Sequence, residues 1–300
     1  MRPPIGSETM ANGFAYATSQ RGLGEYYNYE RWEYTNPLCR AARTDRGQDV
    51  IIRVTVVGQE GQDHLSILRK VARGQLSLFS DNHVLPLLDE IMLGDITFCV
   101  FPRAGLTLHE AYGGWARNSA GDVVDMILQA LEGLAFLHNQ RIAHQDAFKS
   151  NFMVEWMPES LRSTDLQVSR PRVYIIDLET AVEFPEACPL HERRCARLKL
   201  PLGVPPEEYA RPVPPEILDG QPFDPFKVDV WQFGTGFSSF KSTIAPIDQV
   251  LVSLTDPDAS SRPSASEALS RLAECVNAMP PKDLRIKPDF PPLPFEIDDT

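Results

Sequence analysis

The segment that decides the fold is Ile142-Ala-His-Gln-Asp-Ala-Phe-Lys-Ser-Asn151. It places His144, Asp146 and Asn151 in the spacing H-x-D-x(4)-N. The segment follows the strongest helical pattern in the chain, in which apolar residues recur at helical spacing over residues 122–137. A catalytic loop and a set of capping or turn residues are the two interpretations of this trio, because Asp and Asn are common in loops. The motifs that follow favour the loop with a chemical role.

Four further motifs follow this segment in a fixed order. The first predicts an apolar strand that delivers Asp177 at its C-terminal end, and its sequence is Tyr174-Ile-Ile-Asp-Leu-Glu179. The other three are Pro214-Pro-Glu216, Asp229-Val-Trp-Gln-Phe-Gly234 and Ser261-Arg-Pro-Ser-Ala265. Each motif is weak alone, but their number and order make the set specific.

The region before the decisive segment is rich in predicted strands. Three stretches are apolar or β-branched enough to form strands, namely Asp49–Val57, His83–Met92 and Ile96–Phe101. Gly94-Asp95 lies between the last two as a hairpin turn. Residues 62–71 place leucine and valine side chains on one helical stripe and predict a short helix.

The region after residue 102 is predicted to be mainly helical. Two short strands, at 152–155 and 172–178, and helices at 227–240, 246–254 and 264–278 follow the long helix. We therefore expect an N-terminal extension (1–31), a main domain (32–279) and a Pro-rich acidic tail (280–300). Within the main domain, residues 32–101 form the β-rich part and residues 104–279 the helical part.

Together, these motifs resemble the eukaryotic protein kinases over residues 32–279. The resemblance implies an α+β, two-lobed protein kinase-like fold with a small β-rich N-lobe and a helical C-lobe. Three shorter segments of the sequence also look like those of the divergent kinase-like proteins of mushroom-forming fungi. That narrower likeness rests on Asn82-His-Val-Leu-Pro86, Phe101-Pro-Arg103 and Pro225-Phe-Lys-Val-Asp229.

The resemblance implies roles for the residues around the decisive segment. Asp146 is the catalytic carboxylate that accepts or orients the proton of an acceptor hydroxyl. Lys149 is a second catalytic candidate, because Phe148 occupies the position where serine/threonine kinases carry a phosphate-binding lysine. Asn151 and Asp177 are the expected ligands of Mg²⁺ and contact the nucleotide through it, since hard cations take oxygen ligands.

The nucleotide-binding residues implied for the β-rich part are Arg53, Phe101 and Arg103, with ATP and Mg²⁺ as the cofactors. Here the chain departs from the kinase pattern. Arg53 replaces the strand lysine, and its guanidinium is longer and differently shaped than an ammonium group. His64 stands where the family has the glutamate partner of that lysine, and no G-x-G-x-x-G precedes Arg53.

The resemblance also implies structural and regulatory roles. Asp229 is expected to hold the backbone of the catalytic loop, and Glu216 and Arg262 to form a buried ion pair. Gln145 replaces the arginine that receives a phosphorylated activation loop, so switching by loop phosphorylation is not expected. The basic residues at 193, 194, 197 and 199 favour either an acidic peptide substrate or a solvated charged loop.

Composition limits the class of partner. Among 300 residues, 29 are basic and 41 acidic, so the formal net charge is −12. Such a chain repels phosphate backbones and anionic lipid, so we expect neither nucleic acid nor membrane as a partner. An odd number of cysteines, five, indicates free thiols in a reducing compartment, and we expect an intracellular location, cytoplasmic or nuclear.

Two functions from different classes are compatible with these observations. The first is a Mg-ATP-dependent protein serine/threonine kinase that is slow, because the groups for chemistry and metal are present while those for nucleotide positioning are altered. The second is a pseudokinase, a scaffold module that binds protein partners. A protein substrate or a protein partner is expected in either case, and the sequence specifies no oligomeric state.

Overall fold

The computed structural model describes residues 14–16, 37–114, 119–155, 171–201, 210–286 and 288–289. The predicted extension over 1–31 lies outside the described residues except for 14–16, and so do residues 156–170, which lie between two predicted strands. The chain divides into two compact units. Unit 1 comprises the chain up to Ser77 together with Leu85–Arg103, and unit 2 comprises Leu78–Val84 and the chain from Ala104 onward.

Unit 1 is built on a five-stranded antiparallel sheet with the order β1-β2-β3-β5-β4. Its strands are β1 (Phe14–Tyr16), β2 (Cys39–Thr44), β3 (Asp49–Val57), β4 (Asp89–Leu93) and β5 (Ile96–Pro102). The apolar, β-branched sequence of β3 suits its central place, because branched side chains pack well on a pleated surface. Ala42, Val50 and Val100 form a buried cluster on this sheet.

One helix belongs to the described part of unit 1, α1 (Gln62–Val71). Its buried face includes Leu65 and Leu68, as the helical stripe in the sequence predicts. Glu90 of β4 receives hydrogen bonds from Arg69 and from Arg73, just beyond the end of α1. These ion pairs fix the helix to the edge strand of the sheet.

Unit 2 is mostly helical. Its helices are α2 (Leu108–Gly114), α3 (Ala120–Asn139), α4 (Pro215–Leu218), α5 (Pro225–Thr235), α6 (Ala245–Ser253) and α7 (Ala265–Asn277). Its short strands are β6 (Leu106–Thr107), β7 (Ile142–Ala143), β8 (Phe152–Glu155), β9 (Arg172–Ile175) and β10 (Val182–Glu183). The strands pair as β6-β8-β9 and as β10-β7.

Helix α3 is the centre of unit 2 and is buried along most of its length. A Cβ at Gly133 would lie 2.7 Å from the Cβ of His83 and 2.8 Å from Cδ1 of Ile175, so glycine is required for this close approach. The His83 ring is buried and contacts the Val173 carbonyl and the Glu132 carboxylate, each at 2.8 Å. Among the described residues, no helix is long and apolar enough to cross a membrane.

The chain after α7 is partly packed against α3. A 3₁₀ turn covers Pro281–Leu284, and the carbonyl of Ile286 accepts a hydrogen bond from the N–H of Ala120 at 2.8 Å. The Asp289 backbone pairs with that of Lys241. The rest of the predicted tail, from residue 290, lies outside the described residues.

The sequence predicts the bounds of some strands and helices correctly, and it predicts others to be longer than they are. The bounds of β3, α1 and β8 are confirmed. The strand expected over His83–Met92 is wrong in its first half, because Pro86 has no N–H for a ladder and the Asn82 side chain turns the backbone by accepting from the Val84 N–H. The helix expected over 227–240 ends at Thr235, and the strand expected over 172–178 ends at Ile175.

The predicted ion pair between Glu216 and Arg262 is confirmed. The two nitrogens of the fully buried Arg262 guanidinium contact the two oxygens of Glu216 at 2.8 and 3.3 Å. Arg262 also donates to the backbone carbonyls of Lys227 and Asp256. The pair therefore links α4 to the start of α5 and to the loop before α7.

Candidate functional site

The segment 142–151 forms a loop whose backbone is held by Asp229 of α5. This carboxylate is fully buried, and its oxygens accept hydrogen bonds from the N–H groups of His144 and Gln145, both at 2.7 Å. The His138 Nε2 atom lies 2.9 Å from the same carboxylate. Gln145 has a φ of 63°, a left-handed conformation that costs free energy for a residue other than glycine. The two charge-assisted bonds, donated by the backbone nitrogens of His144 and Gln145, stabilise that conformation, which confirms the role predicted for Asp229.

His144 joins the loop to the chain at Asp177. Its Nε2 lies 2.9 Å from the Ile176 carbonyl, and its Nδ1 lies 3.2 Å from the N–H of Asp146. Because a carbonyl only accepts and a backbone N–H only donates, these contacts match the tautomer that carries its proton on Nε2. In addition, the Ile176 N–H donates to the Asn151 carbonyl at 3.0 Å. Ile176 is thus hydrogen-bonded to His144 near the start of the loop and to Asn151 at its end. These two bonds place the next residue, Asp177, beside the loop.

Asp146 and Asn151 contact each other directly. The Asn151 amide nitrogen donates to the Asp146 Oδ2 at 2.7 Å and to the Asp146 backbone carbonyl at 2.8 Å. Both residues are buried. The nitrogen of the Asn151 amide therefore faces Asp146, and the carbonyl oxygen is the only atom of that amide with the chemistry of a cation ligand.

Opposing influences act on the Asp146 carboxyl group. Burial is the largest and raises its pKa, and the negative charge of Asp177 adds to that rise. The Arg211 cation and the hydrogen bond from Asn151 oppose it, but the pKa of Asp146 remains above its usual value. Asp177 therefore lies close enough for its charge to act on the Asp146 carboxyl group.

Arg211 is the site residue that sequence reasoning missed. Its Nε lies 3.3 Å from Asp146 Oδ1, one of its terminal nitrogens donates to the Ser150 hydroxyl at 2.9 Å, and its guanidinium lies 5.0 Å from the centre of the Phe148 ring. Arg211 follows a proline-rich stretch that matches no motif, and only the path of the folded chain brings it to the loop. No local signal in the sequence points to it.

Lys149 is directed to the end of α5. Its ammonium group donates to the Gly236 carbonyl at 2.7 Å and lies 5.9 Å from the centre of the Phe237 ring. A Cβ at Gly236 would lie 3.2 Å from Cδ of Lys149, so the lysine stem packs closely on the helix end. Burial lowers the pKa of Lys149. The catalytic task expected of Lys149 remains a prediction, but its observed contacts are those of a helix cap.

Gln145 connects the loop to the segment that follows Asp177. Its side-chain oxygen accepts from the N–H of Lys199 at 2.8 Å, and its side-chain nitrogen donates to the Sγ of Cys195 at 3.1 Å. Burial raises the pKa of the Cys195 thiol. Neutral hydrogen bonds therefore hold this segment at the position where the kinase pattern has an arginine for a phosphate group.

The nucleotide-binding candidates of the β-rich part belong to unit 1. Arg53 lies in the middle of β3, with Cys39 and Cys99 as its partners on the neighbouring strands. Phe101 lies near the end of β5, and Arg103 follows that strand and contacts Asp49 of β3 at 3.5 Å. The other candidates, which are Asp146, Lys149, Asn151 and Asp177, all belong to unit 2.

The donor set of unit 2 fits Mg²⁺ only in part. The Asn151 carbonyl oxygen and the Asp177 carboxylate are oxygen ligands of the type that Mg²⁺ prefers. Within the described part of the chain, no cluster of three or more His, Cys, Asp or Glu side chains is suited to hold a metal ion. Two protein ligands suit a Mg²⁺ ion that completes its coordination with water and with phosphate oxygens.

Comparison with known proteins adds a partial match. The chain is 36% identical over 116 residues to the striated muscle preferentially expressed protein kinase of Danio rerio. The match covers 39% of this chain and 3% of that protein. No protein-family profile matches the chain. The match indicates a kinase-like relationship for part of a chain whose fold is mixed α+β, with a sheet near the N-terminus followed by helices.

Proposed function

We propose that this protein is a divergent protein kinase-like phosphotransferase of two-lobed fold, which binds Mg-ATP and slowly transfers a phosphoryl group to serine or threonine hydroxyls of a protein. The observation that carries this proposal is the contact of Asn151 with Asp146 in a loop that is bonded at both ends to Ile176. This arrangement collects a carboxylate for the acceptor, an amide oxygen and a second carboxylate, Asp177. The partial match to a kinase supports the same chemistry.

Each of these groups has a separate task in the proposed reaction. Asp146 Oδ1, which Arg211 faces, receives the proton of the acceptor hydroxyl, because Asn151 donates to the other oxygen. Asn151 and Asp177 would hold Mg²⁺, which when bound neutralises charge on the phosphates. Asp229 keeps the loop backbone in its left-handed turn at Gln145 and so fixes the direction of the Asp146 side chain.

The altered nucleotide-binding residues account for the expected low rate. In the proposed site, Arg53 replaces the strand lysine and His64 its carboxylate partner, and bulky residues replace the glycine-rich loop. Phosphoryl transfer depends mainly on positioning and charge neutralisation. Weaker positioning of ATP therefore lowers the rate by orders of magnitude without removing the groups that carry out the reaction.

A pseudokinase that binds protein partners is the second candidate, and one observation favours it. Asp146 already has a partner on each oxygen, since Arg211 faces Oδ1 and Asn151 donates to Oδ2. A carboxylate held in this way has no position for an acceptor hydroxyl unless Arg211 moves. If Arg211 stays in place, the loop has only a structural task.

Transfer of labelled phosphate distinguishes the two candidates. Purified protein is incubated with γ-³²P-ATP, Mg²⁺ and a casein substrate, alongside an Asp146→Asn variant and an Asp219→Asn control. Asp219 is exposed, so its substitution makes the same chemical change away from the loop. We expect slow transfer by the wild type and the control, and at least a hundredfold less by Asp146→Asn, since general-base catalysis contributes about 10²–10⁴-fold. Equal transfer by all three proteins, or none by any, contradicts the phosphotransferase proposal.

A further inference from the structure

Arg211 holds Asp146 through a contact that is weak for an ion pair. The Nε–Oδ1 distance of 3.3 Å is longer than the roughly 2.7–2.9 Å of a strong charge-assisted hydrogen bond. The Arg211 side chain is 37% exposed, whereas that of Asp146 is 9% exposed. The guanidinium is therefore accessible to a solute while the carboxylate behind it is covered.

The other contacts of Arg211 leave most of its hydrogen-bonding capacity for a ligand. A guanidinium has five N–H donors in a planar fork. The described contacts of Arg211 engage one terminal nitrogen with Ser150 and place the guanidinium over the ring of Phe148, which restricts its orientation. A carboxylate or phosphate group can bind such a fork through two parallel hydrogen bonds, which are shorter and stronger than the contact with Asp146.

We propose that Arg211 is a specificity-determining residue that binds an acidic group of the acceptor protein and, in doing so, releases Asp146 Oδ1 for the acceptor hydroxyl. This inference rests on the proposed function and names its substrate class: proteins with Asp, Glu or phosphorylated residues next to the acceptor serine or threonine. A neutral or basic acceptor offers no anion to compete for the guanidinium, so Asp146 stays engaged.

The neighbouring segment has the matching charge. Arg194 and Arg197 are exposed, and they lie in the stretch that Gln145 holds through Cys195 and Lys199. These arginines raise the positive potential of this segment in a chain whose overall formal charge is −12. Local positive charge in a negative protein attracts an acidic peptide to one region and repels it elsewhere.

Peptide binding tests the inference without the need for catalysis. Two fluorescein-labelled peptides share a central serine, which is flanked by glutamates in one and by glutamines in the other. Their dissociation constants are measured by fluorescence anisotropy for the wild type, Arg211→Gln, Arg211→Lys and the control Arg271→Gln. Arg271 is an exposed residue of α7, so its substitution removes the same charge from a different surface.

We expect the wild type to bind the glutamate peptide more tightly than the glutamine peptide. Arg211→Gln should weaken binding of the glutamate peptide about tenfold or more, because a hydrogen-bonded charge partner is lost. Arg211→Lys should lose less affinity for the glutamate peptide, because lysine keeps the positive charge and lacks only the planar set of donors of the guanidinium. Arg271→Gln should bind like the wild type, and melting temperatures close to that of the wild type would show that the variants are folded.

Three results would overturn the inference: equal binding of both peptides by the wild type, an unchanged glutamate preference in Arg211→Gln, and equal weakening by Arg211→Gln and Arg271→Gln. The last would show that only the total charge matters. A transfer assay with the same peptides gives the second measurement, and the rate ratio of glutamate to glutamine peptide should fall towards one in Arg211→Gln. Failure of the proposed function is a separate result, since it appears as no transfer by the wild type to either peptide whatever the anisotropy shows.

Discussion

Two cationic residues are associated with Asp146, and they make different contacts. Lys149 is close to it in the sequence, and Arg211 is close to it in the folded chain. Lys149 follows Asp146 closely in the chain, but its ammonium group donates to the Gly236 carbonyl at the end of α5. Arg211 is remote in the chain and faces Asp146 Oδ1. At the scale of single residues, the positive charge beside the Asp146 carboxylate therefore comes from Arg211.

Substitution of Lys149 should affect stability more than chemistry. Lys149→Met keeps an apolar stem beside Gly236 but leaves that carbonyl without its donor. We expect a loss of about 1–3 kcal/mol in the free energy of unfolding, the usual cost of removing the partner of a buried polar group. Urea denaturation measures this loss, and Lys282→Met is the control because Lys282 is exposed. A variant with unchanged stability and abolished phosphate transfer would instead assign Lys149 to the reaction.

The sequence predicts the residues of the site where the signal is local. His144, Asp146 and Asn151 share one short loop, so their spacing is sufficient to find them. The position of Arg211 depends on how the chain returns to that loop after its proline-rich stretch, which no spacing encodes. The direction of the Lys149 side chain likewise depends on the end of α5, a tertiary contact.

At the scale of elements, α5 supports the loop in more than one place. Asp229 accepts from the backbone of His144 and Gln145, and the Gln232 side chain accepts from the Ala147 N–H and donates to the Gln145 carbonyl. Asp224 caps the first turn of α5 by accepting from the N–H groups of the helix start. The helix is thus stable at its N-terminal end, and its buried polar face determines the conformation of the loop.

The bounds of a strand or helix can be predicted from the sequence where a single local pattern of apolar residues determines them. The alternation in β3 and the apolar stripe of α1 are strong local patterns, and both elements have their predicted limits. Residues 83–88 are apolar enough for a strand, but Pro86 and the Asn82 side chain prevent a regular ladder. Composition alone does not reveal that conflict, because it depends on the position of the proline and on a side-chain hydrogen bond to the backbone.

The ion pair between Glu216 and Arg262 should stabilise the fold through the elements it joins. Glu216→Ala leaves a fully buried guanidinium without its carboxylate, and removal of one partner of a buried pair costs about 3–5 kcal/mol. The loss should fall at the lower end of that range, because the Glu216 side chain is 17% exposed and partly screened. Urea denaturation measures it.

Glu216→Gln is the matched control for this pair, since it keeps a hydrogen-bond acceptor and should lose less stability. The double variant Glu216→Ala, Arg262→Met removes both charges. Its loss in the free energy of unfolding should be smaller than the sum of the losses in the two single variants. A neutral Glu216→Ala would mean that the pair does not hold α4 in place.

At the scale of the whole molecule, the groups assigned to nucleotide binding are distributed over both units. Arg53, Phe101 and Arg103 belong to unit 1, and Asn151 and Asp177 to unit 2. In the sequence, the β-rich and helical patterns change near residue 102, whereas unit 2 also includes Leu78–Val84. The proposed phosphotransferase activity depends on Mg-ATP binding, since ATP supplies the phosphoryl group.

The most direct test of Mg-ATP binding is the melting temperature of the protein in a titration with ATP, with Mg²⁺ or with EDTA. We expect ATP with Mg²⁺ to stabilise the wild type by about 2.7 kcal/mol when ATP is at a hundred times its dissociation constant. ATP with EDTA, or Mg²⁺ alone, should have little effect, because Asn151 and Asp177 are too few ligands without phosphate. Asp177→Asn should lose the Mg-ATP effect and keep the basal melting temperature, since Asn also tolerates the left-handed φ of 65° at this position. Asp219→Asn should respond like the wild type, because Asp219 is exposed and lies outside the loop. Two results would contradict Mg-ATP binding at this site: an equal effect of Mg-ATP on Asp177→Asn and the wild type, or no effect on the wild type.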